Sequence, residues 1–159
     1  KKQWLAKSPE EIAEFQRKSA EAMREASKNG SKLEHYLLGK LIEEGYQVDF
    51  HKEHFILNER LQVDLYLPIL KTALEIDGPS HFKPIWGEQK LAKSQLADAT
   101  KDGLLLDLGM CVIRLQQTKD LSGVYKRQVL KQLLDVLEKI DQKFPVDNDD
   151  RYIILGDEE

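Results

Sequence analysis

Val63-Asp-Leu-Tyr-Leu-Pro68 and Leu74-Glu-Ile-Asp-Gly-Pro-Ser-His-Phe82 read as two strands and a tight turn, and together they place Asp64, Glu75, Asp77 and His81 within eighteen residues. Side chains on a strand alternate faces, so Glu75 and Asp77 point one way while Leu74 and Ile76 point into a core. That assigns a wet, acidic face to the second strand. In the first, Val63, Leu65 and Leu67 form the apolar row and leave Asp64 opposite with Tyr66, so pairing the strands brings Asp64 beside Glu75 or Asp77. Neighbouring carboxylates repel unless one is protonated or a cation lies between them. A divalent ion is the expected resolution, and oxygen ligands in this number suit Mg²⁺ or Mn²⁺ better than Zn²⁺. The plain alternative is a solvated acidic strand face, since acids are common on exposed surfaces.

Working outward, Ser8-Pro-Glu-Glu11 reads as an N-cap, a proline at the first helical position and a capping-box glutamate. The helix it opens has Ile12, Phe15, Ala22, Met23 and Ala26 on its apolar side, interrupted by Ser19, and stops at Asn29-Gly30. Ser31 caps a second helix with Leu33, Tyr36, Leu37, Leu41 and Ile42 as its stripe, ended by Gly45. The period then becomes two, predicting strands over 46–52, 54–57, 61–67 and 71–77, with Asn58-Glu-Arg60 as a hairpin turn. A loop from Gly78 leads to a helix from about Glu88 to Leu108, and Met110 to Leu115 returns as a buried strand. Ser122 caps a last helix with Val129, Leu130, Leu133, Val136, Leu137 and Ile140 toward the core. Tyr152 to Leu155 is either a short strand or a docking segment. The order predicts an α/β domain with a mixed sheet.

The chain has 159 residues, and its 41 % hydrophobic and 33 % charged composition is that of a soluble globular protein with one main core. No apolar run approaches the roughly 20 residues of a membrane helix, and Lys1-Lys-Gln-Trp-Leu has no signal-peptide core. A cytoplasmic protein is expected, not a secreted one. Lys1 in place of methionine reads as a processed or excised piece of something longer. Cys111 is the only cysteine, which excludes an internal disulfide and a cysteine-rich zinc cage; it reads as a core thiol.

The net charge of −4 divides unevenly: residues 147–159 carry −5 and residues 1–146 carry +1. Residues 1–32 hold eight Lys or Arg against five Glu, which by charge alone favours a solvated helix face over phosphate contacts. The predicted division is a basic N-terminal helix over 1–30, a catalytic domain over 31–143 and an acidic tail over 144–159.

Glu34 in the leading helix, Val63-Asp64-Leu65, the turn Glu75-Ile-Asp-Gly78, His81, and Asp98 on the helix before Gly109 and Val112-Ile-Arg114 resemble, in order and spacing, the PD-(D/E)XK nuclease superfamily. Within it, the chain is most similar to very-short-patch repair endonucleases and phage homing endonucleases with an EDxHD-type site. The resemblance covers about Ser31 to Leu115. The superfamily's usual lysine is absent, and Asp77 occupies its place, which makes a histidine variant the better match. The resemblance implies a restriction-endonuclease-like core and Mg²⁺-dependent hydrolysis of double-stranded DNA, with Mn²⁺ as a substitute. It assigns the active centre to Glu34, Asp64, Asp77, His81 and Asp98, the metal to Asp64 and Asp77, and to Glu75 the part of an additional acid. Lys83, Trp86, Lys90 and Lys93 are the expected nucleic-acid contacts.

Each residue has a structural rival. Glu34 completes a capping box with Ser31, His81 caps the turn, and Asp98, like Asp102, is an exposed helical acid; His51 and His54 read as surface residues. Asp77-Gly-Pro-Ser-His-Phe82 is also similar to the RAP domains of organellar RNA-associated proteins, which implies the alternative of a catalytically inactive RNA-binding module.

Overall fold

Ser8 and Glu11 satisfy each other's backbone N–H groups in a reciprocal capping box, with Pro9 just inside it, and so fix the start of helix α1, Pro9–Asn29. Ser31 and Glu34 repeat the device at the start of α2, Lys32–Glu43. Gly45, at φ +89°, ends α2: its N–H reaches the carbonyl of Ile42, and that of Tyr46 reaches Leu41, the Schellman pattern that a left-handed glycine permits. The computed structural model describes residues 8–53, 61–78 and 87–156, which fall into two units divided after Ile69. The expected strand over 54–57 and its hairpin turn lie outside the described residues.

In the first unit, strand β1 (Asp49–Lys52) pairs antiparallel with β2 (Val63–Leu67). β2 alternates as expected, with Val63, Leu65 and Leu67 buried and Asp64 and Tyr66 half-buried. α1 packs on α2 and β1, and α2 on β2. The core between them holds Phe15, Leu33, Leu37, Leu38 and Leu41, each stabilising the unit by about 1.5–3 kcal/mol on burial. Ser19, which interrupts the apolar stripe in sequence, faces inward with it at 8 % exposure.

In the second unit, β3 (Thr72–Asp77) runs parallel to β4 (Cys111–Gln116), and β4 parallel to β5 (Tyr152–Leu155). Parallel neighbours need a crossover. Helix α3 (Glu88–Asp107) supplies the first, and α4 (Gly123–Gln142) with the short α5 (Asn148–Arg151) supplies the second. Ser122 caps α4 by accepting the N–H of Tyr125, and Val129, Leu133, Leu137 and Ile140 are its buried stripe. Residues 152–155, within the stretch read as an acidic tail, are thus part of a sheet. Arg151 donates to the carbonyls of Leu106 and Met110 and so satisfies the end of α3.

The chain is α/β with mixed strand pairing, antiparallel in the first unit and parallel in the second, flanked by helices that include an N-terminal and a C-terminal one. One expectation is corrected. β3 has no wet acidic face: Glu75 and Asp77 are 3 % and 4 % exposed. A parallel strand is covered on both faces, so the alternation that marks a half-solvated strand does not apply to it. No helix among the described residues is long and apolar enough to cross a membrane.

Candidate functional site

The register Phe50↔Leu65 and Lys52↔Val63 leaves His51 opposite Asp64. His51 departs from the strand, with φ at +49°, a left-handed conformation that histidine enters more readily than most residues. Successive strand side chains normally point apart, yet the Phe50 and His51 rings stack at 3.8 Å between centroids and 18° between planes. The left-handed backbone is what brings them to the same side. Phe50 in turn lies against Gly30, where a Cβ would approach its ring to 3.0 Å. The end of α1 therefore fixes Phe50, and Phe50 fixes the imidazole.

Glu34 comes to the same place from the first turn of α2. Its Oε2 accepts the Ser31 N–H at 2.6 Å, while Oε1 lies 3.4 Å from His51 Nε2 in a long hydrogen bond in which only the imidazole can donate. Glu34 is therefore both a capping residue and something more. One ligand atom from each of Glu34, His51 and Asp64 lies within 4.8 Å of the others. Around a cation bound at about 2.1 Å, donors sit about 3 Å apart in adjacent positions and about 4.2 Å apart across it. Small side-chain adjustments thus suffice, and two carboxylates with one imidazole fit a divalent ion. An imidazole among the donors does not single out Mg²⁺, which prefers oxygen alone. His51, expected at the surface, is a member of this group with a side chain only 23 % exposed.

The second unit gathers the other acids around two cations. Arg114, 4 % exposed on β4, grips Asp102 with Nε and NH2 at 2.5 and 2.8 Å and sends NH1 to Asp77 Oδ1 at 2.8 Å. Its NH2 also lies 3.4 Å from the Asp98 carbonyl and 3.7 Å from that residue's carboxylate. Burial works against the charge on Arg114, but the hydrogen bond to Asp102 and the charges of Asp77, Asp102 and Asp98 outweigh it and raise its pKa above the ordinary arginine value. Lys101 Nζ is 2.8 Å from Glu75 Oε1, an ion pair in distance though not aligned as a hydrogen bond. On β5, burial pushes the Tyr152 phenol up, and the charge of Asp102 and a hydrogen bond with it add to the shift.

Protein cations thus stand among the second-unit acids, where like-charge repulsion led us to expect a metal. Asp102 is corrected from an exposed helical acid to a buried one at 5 % exposure. Glu34 and Asp64 lie together with His51 in the first unit, and Glu75, Asp77 and Asp98 belong to the second. Lys90 and Lys93 are exposed on the first turns of α3. His81, Lys83 and Trp86 lie outside the described residues. Two signals for the missed residues were present in the sequence: Asp98, Lys101 and Asp102 fall at helical spacings of three and four, on one face, and strand pairing sets His51 against Asp64. No protein-family model, no curated protein and no solved structure matches this chain.

Proposed function

We propose that the protein is a divalent-metal-dependent endonuclease that hydrolyses phosphodiester bonds in double-stranded DNA, of a phage-type homing or repair-like kind, acting in the cytoplasm. The observation that supports this reading is the meeting of Glu34, His51 and Asp64, whose ligand atoms lie within 4.8 Å of one another. Glu34, His51 and Asp64 would hold the cation, which would supply Lewis acidity toward a phosphate oxygen and offset charge at phosphorus.

The side chains divide the remaining work. Glu34 is aimed by the Ser31 N–H, which holds one oxygen and leaves the other turned toward His51. Asp64 adds a second negative donor from β2, and the Phe50 ring steadies His51. His81 takes the proton of the attacking water as its oxygen bonds to phosphorus, and the bond to the 3′ oxygen breaks with that oxygen taking a proton from solvent, leaving 5′-phosphate and 3′-hydroxyl ends. In the second unit the resemblance gives Asp77, paired with Arg114, and Asp98 a part in orienting the reacting groups, and Glu75, paired with Lys101, an auxiliary one. Lys83, Lys90 and Lys93 contact phosphates, and Trp86 meets a base step.

The Asp77–Arg114 pair favours one second reading, a RAP-like module that binds RNA without a cation, because it neutralises an acid with no metal. Supercoiled plasmid with Mn²⁺ or Mg²⁺ separates the two. We expect nicking by the wild type that EDTA stops and that Asp64→Asn, Glu34→Gln and His81→Ala each lower by about a hundredfold or more. Equal nicking by all four proteins, or RNA binding indifferent to EDTA with no cleavage, overturns the nuclease reading.

A further inference from the structure

Arg114 places its guanidinium among Asp77, Asp98 and Asp102. Its donors are committed in a fixed order. Nε and NH2 make a two-point grip on Asp102, and a planar fork held in this way has no remaining rotation about its own axis. NH1 is thereby aimed at Asp77 Oδ1, at the end of β3. The register sets Glu75, not Asp77, opposite Arg114, so the side chain reaches along the strand to the next residue on the same face. A chain of contacts runs from Asp102 on α3 through Arg114 on β4 to Asp77 on β3.

An ionic network of this depth is a poor means of gaining stability. Removing charges from water costs several kcal/mol per ion, and apolar residues of similar volume often serve as well or better. What such a network does supply is a single orientation for each member. Arg114 has its donors engaged by carboxylates and so does not take a phosphate itself. Its effect is confined to the acids that it holds.

We propose that Arg114, aligned by Asp102, is the positioning residue for Asp77 in the phosphodiester hydrolysis. This rests on the nuclease reading above. Arg114 and Asp102 act through Asp77, whose carboxylate they hold at one angle. A misplacement of even 1 Å at a reacting group costs up to about a hundredfold in rate.

The test is steady-state cleavage of a linear DNA duplex at saturating Mn²⁺, on proteins shown to be folded by near-ultraviolet circular dichroism and a cooperative melt. Arg114→Lys keeps the charge and loses the fork, and Asp102→Asn keeps the shape and loses the charge. Each is expected to lower kcat about ten- to a hundredfold with KM changed less than about threefold, whereas Asp102→Glu recovers part of the loss. Unchanged kcat in folded Arg114→Lys and Asp102→Asn overturns the proposal. If those two do not fold, unchanged kcat in Asp102→Glu overturns it. A wild type that cleaves nothing defeats the nuclease reading instead, so the two failures are distinct.

Discussion

His51 Nε2 lies 3.4 Å from Glu34 Oε1, although the residues are seventeen positions apart and belong to a strand and a helix. The contact depends on a histidine in the left-handed region and on a capping glutamate with one oxygen turned away from its cap. A group of donors built this way is held by backbone geometry at both ends. Mn²⁺ titrated into the protein is therefore expected to raise the melting temperature by the amount that linkage gives, with about 2.7 kcal/mol gained at a hundredfold excess over Kd. Isothermal titration should show binding weakened at least about tenfold in His51→Ala and in Asp64→Asn. Heat and melting temperature that ignore Mn²⁺ in the wild type would remove the cation from this group.

Gly156, at φ +113°, sits so close to β4 that a Cβ there would approach the Gln116 carbonyl oxygen to 2.0 Å. The carbonyls of both residues lie 3.1 Å from the Tyr125 hydroxyl, which also accepts the Thr118 N–H. Gly156→Ala combines a backbone clash with a strained φ and should destabilise the protein by about 2 kcal/mol or more. Urea denaturation with an unchanged m-value is the measurement. A loss below about 0.5 kcal/mol would show that the end of β5 readily moves away.

Arg114→Met leaves three carboxylates near one another with their central cation gone. It is expected to cost about 3–5 kcal/mol, the range for breaking a buried pair from one side. Asp102→Asn keeps a hydrogen-bond acceptor for the guanidinium and should cost less. Chemical denaturation of both variants gives the comparison, and a larger loss in Asp102→Asn would contradict the central place given to Arg114.

Cys111 is fully buried on β4, and burial raises its thiol pKa against smaller opposing effects from Arg151 and a hydrogen bond with Thr72. A folded pKa above the unfolded one contributes stability that is complete below the unfolded value and is lost as pH rises through the folded one. Melting temperature should therefore fall above about pH 9. Cys111→Ala should flatten part of that decline. In native protein at pH 8, a thiol reagent should label Cys111 only as fast as the chain opens; immediate labelling would contradict the burial.

The capping boxes at Ser8 and Ser31 were legible because their chemistry is local, a hydroxyl and a glutamate three residues apart. The alternation in Val63-Asp-Leu-Tyr-Leu67 was legible for a similar reason, since β2 has one covered face. Glu75 and Asp77 misled because β3 is covered on both faces, and acids on such a strand reveal themselves only through distant partners. Arg114 is one of those partners, separated from Asp77 by a whole crossover helix. His51 was obscured differently: a positive φ at a non-glycine residue leaves no mark in local composition. Tyr152 to Leu155 left two readings open, and the parallel pairing with β4 decides for the strand.

The two kinds of strand pairing also set an order of events during synthesis. β1 and β2 are neighbours in sequence and pair as soon as the segment between them has been made. β4, by contrast, waits for β5 until α4 and α5 have left the ribosome, and long-range parallel pairing is intrinsically slow. The nascent chain should thus carry a settled first unit while the apolar side of α4 still awaits its sheet, so the interval before Tyr152 emerges is when the protein most needs a chaperone.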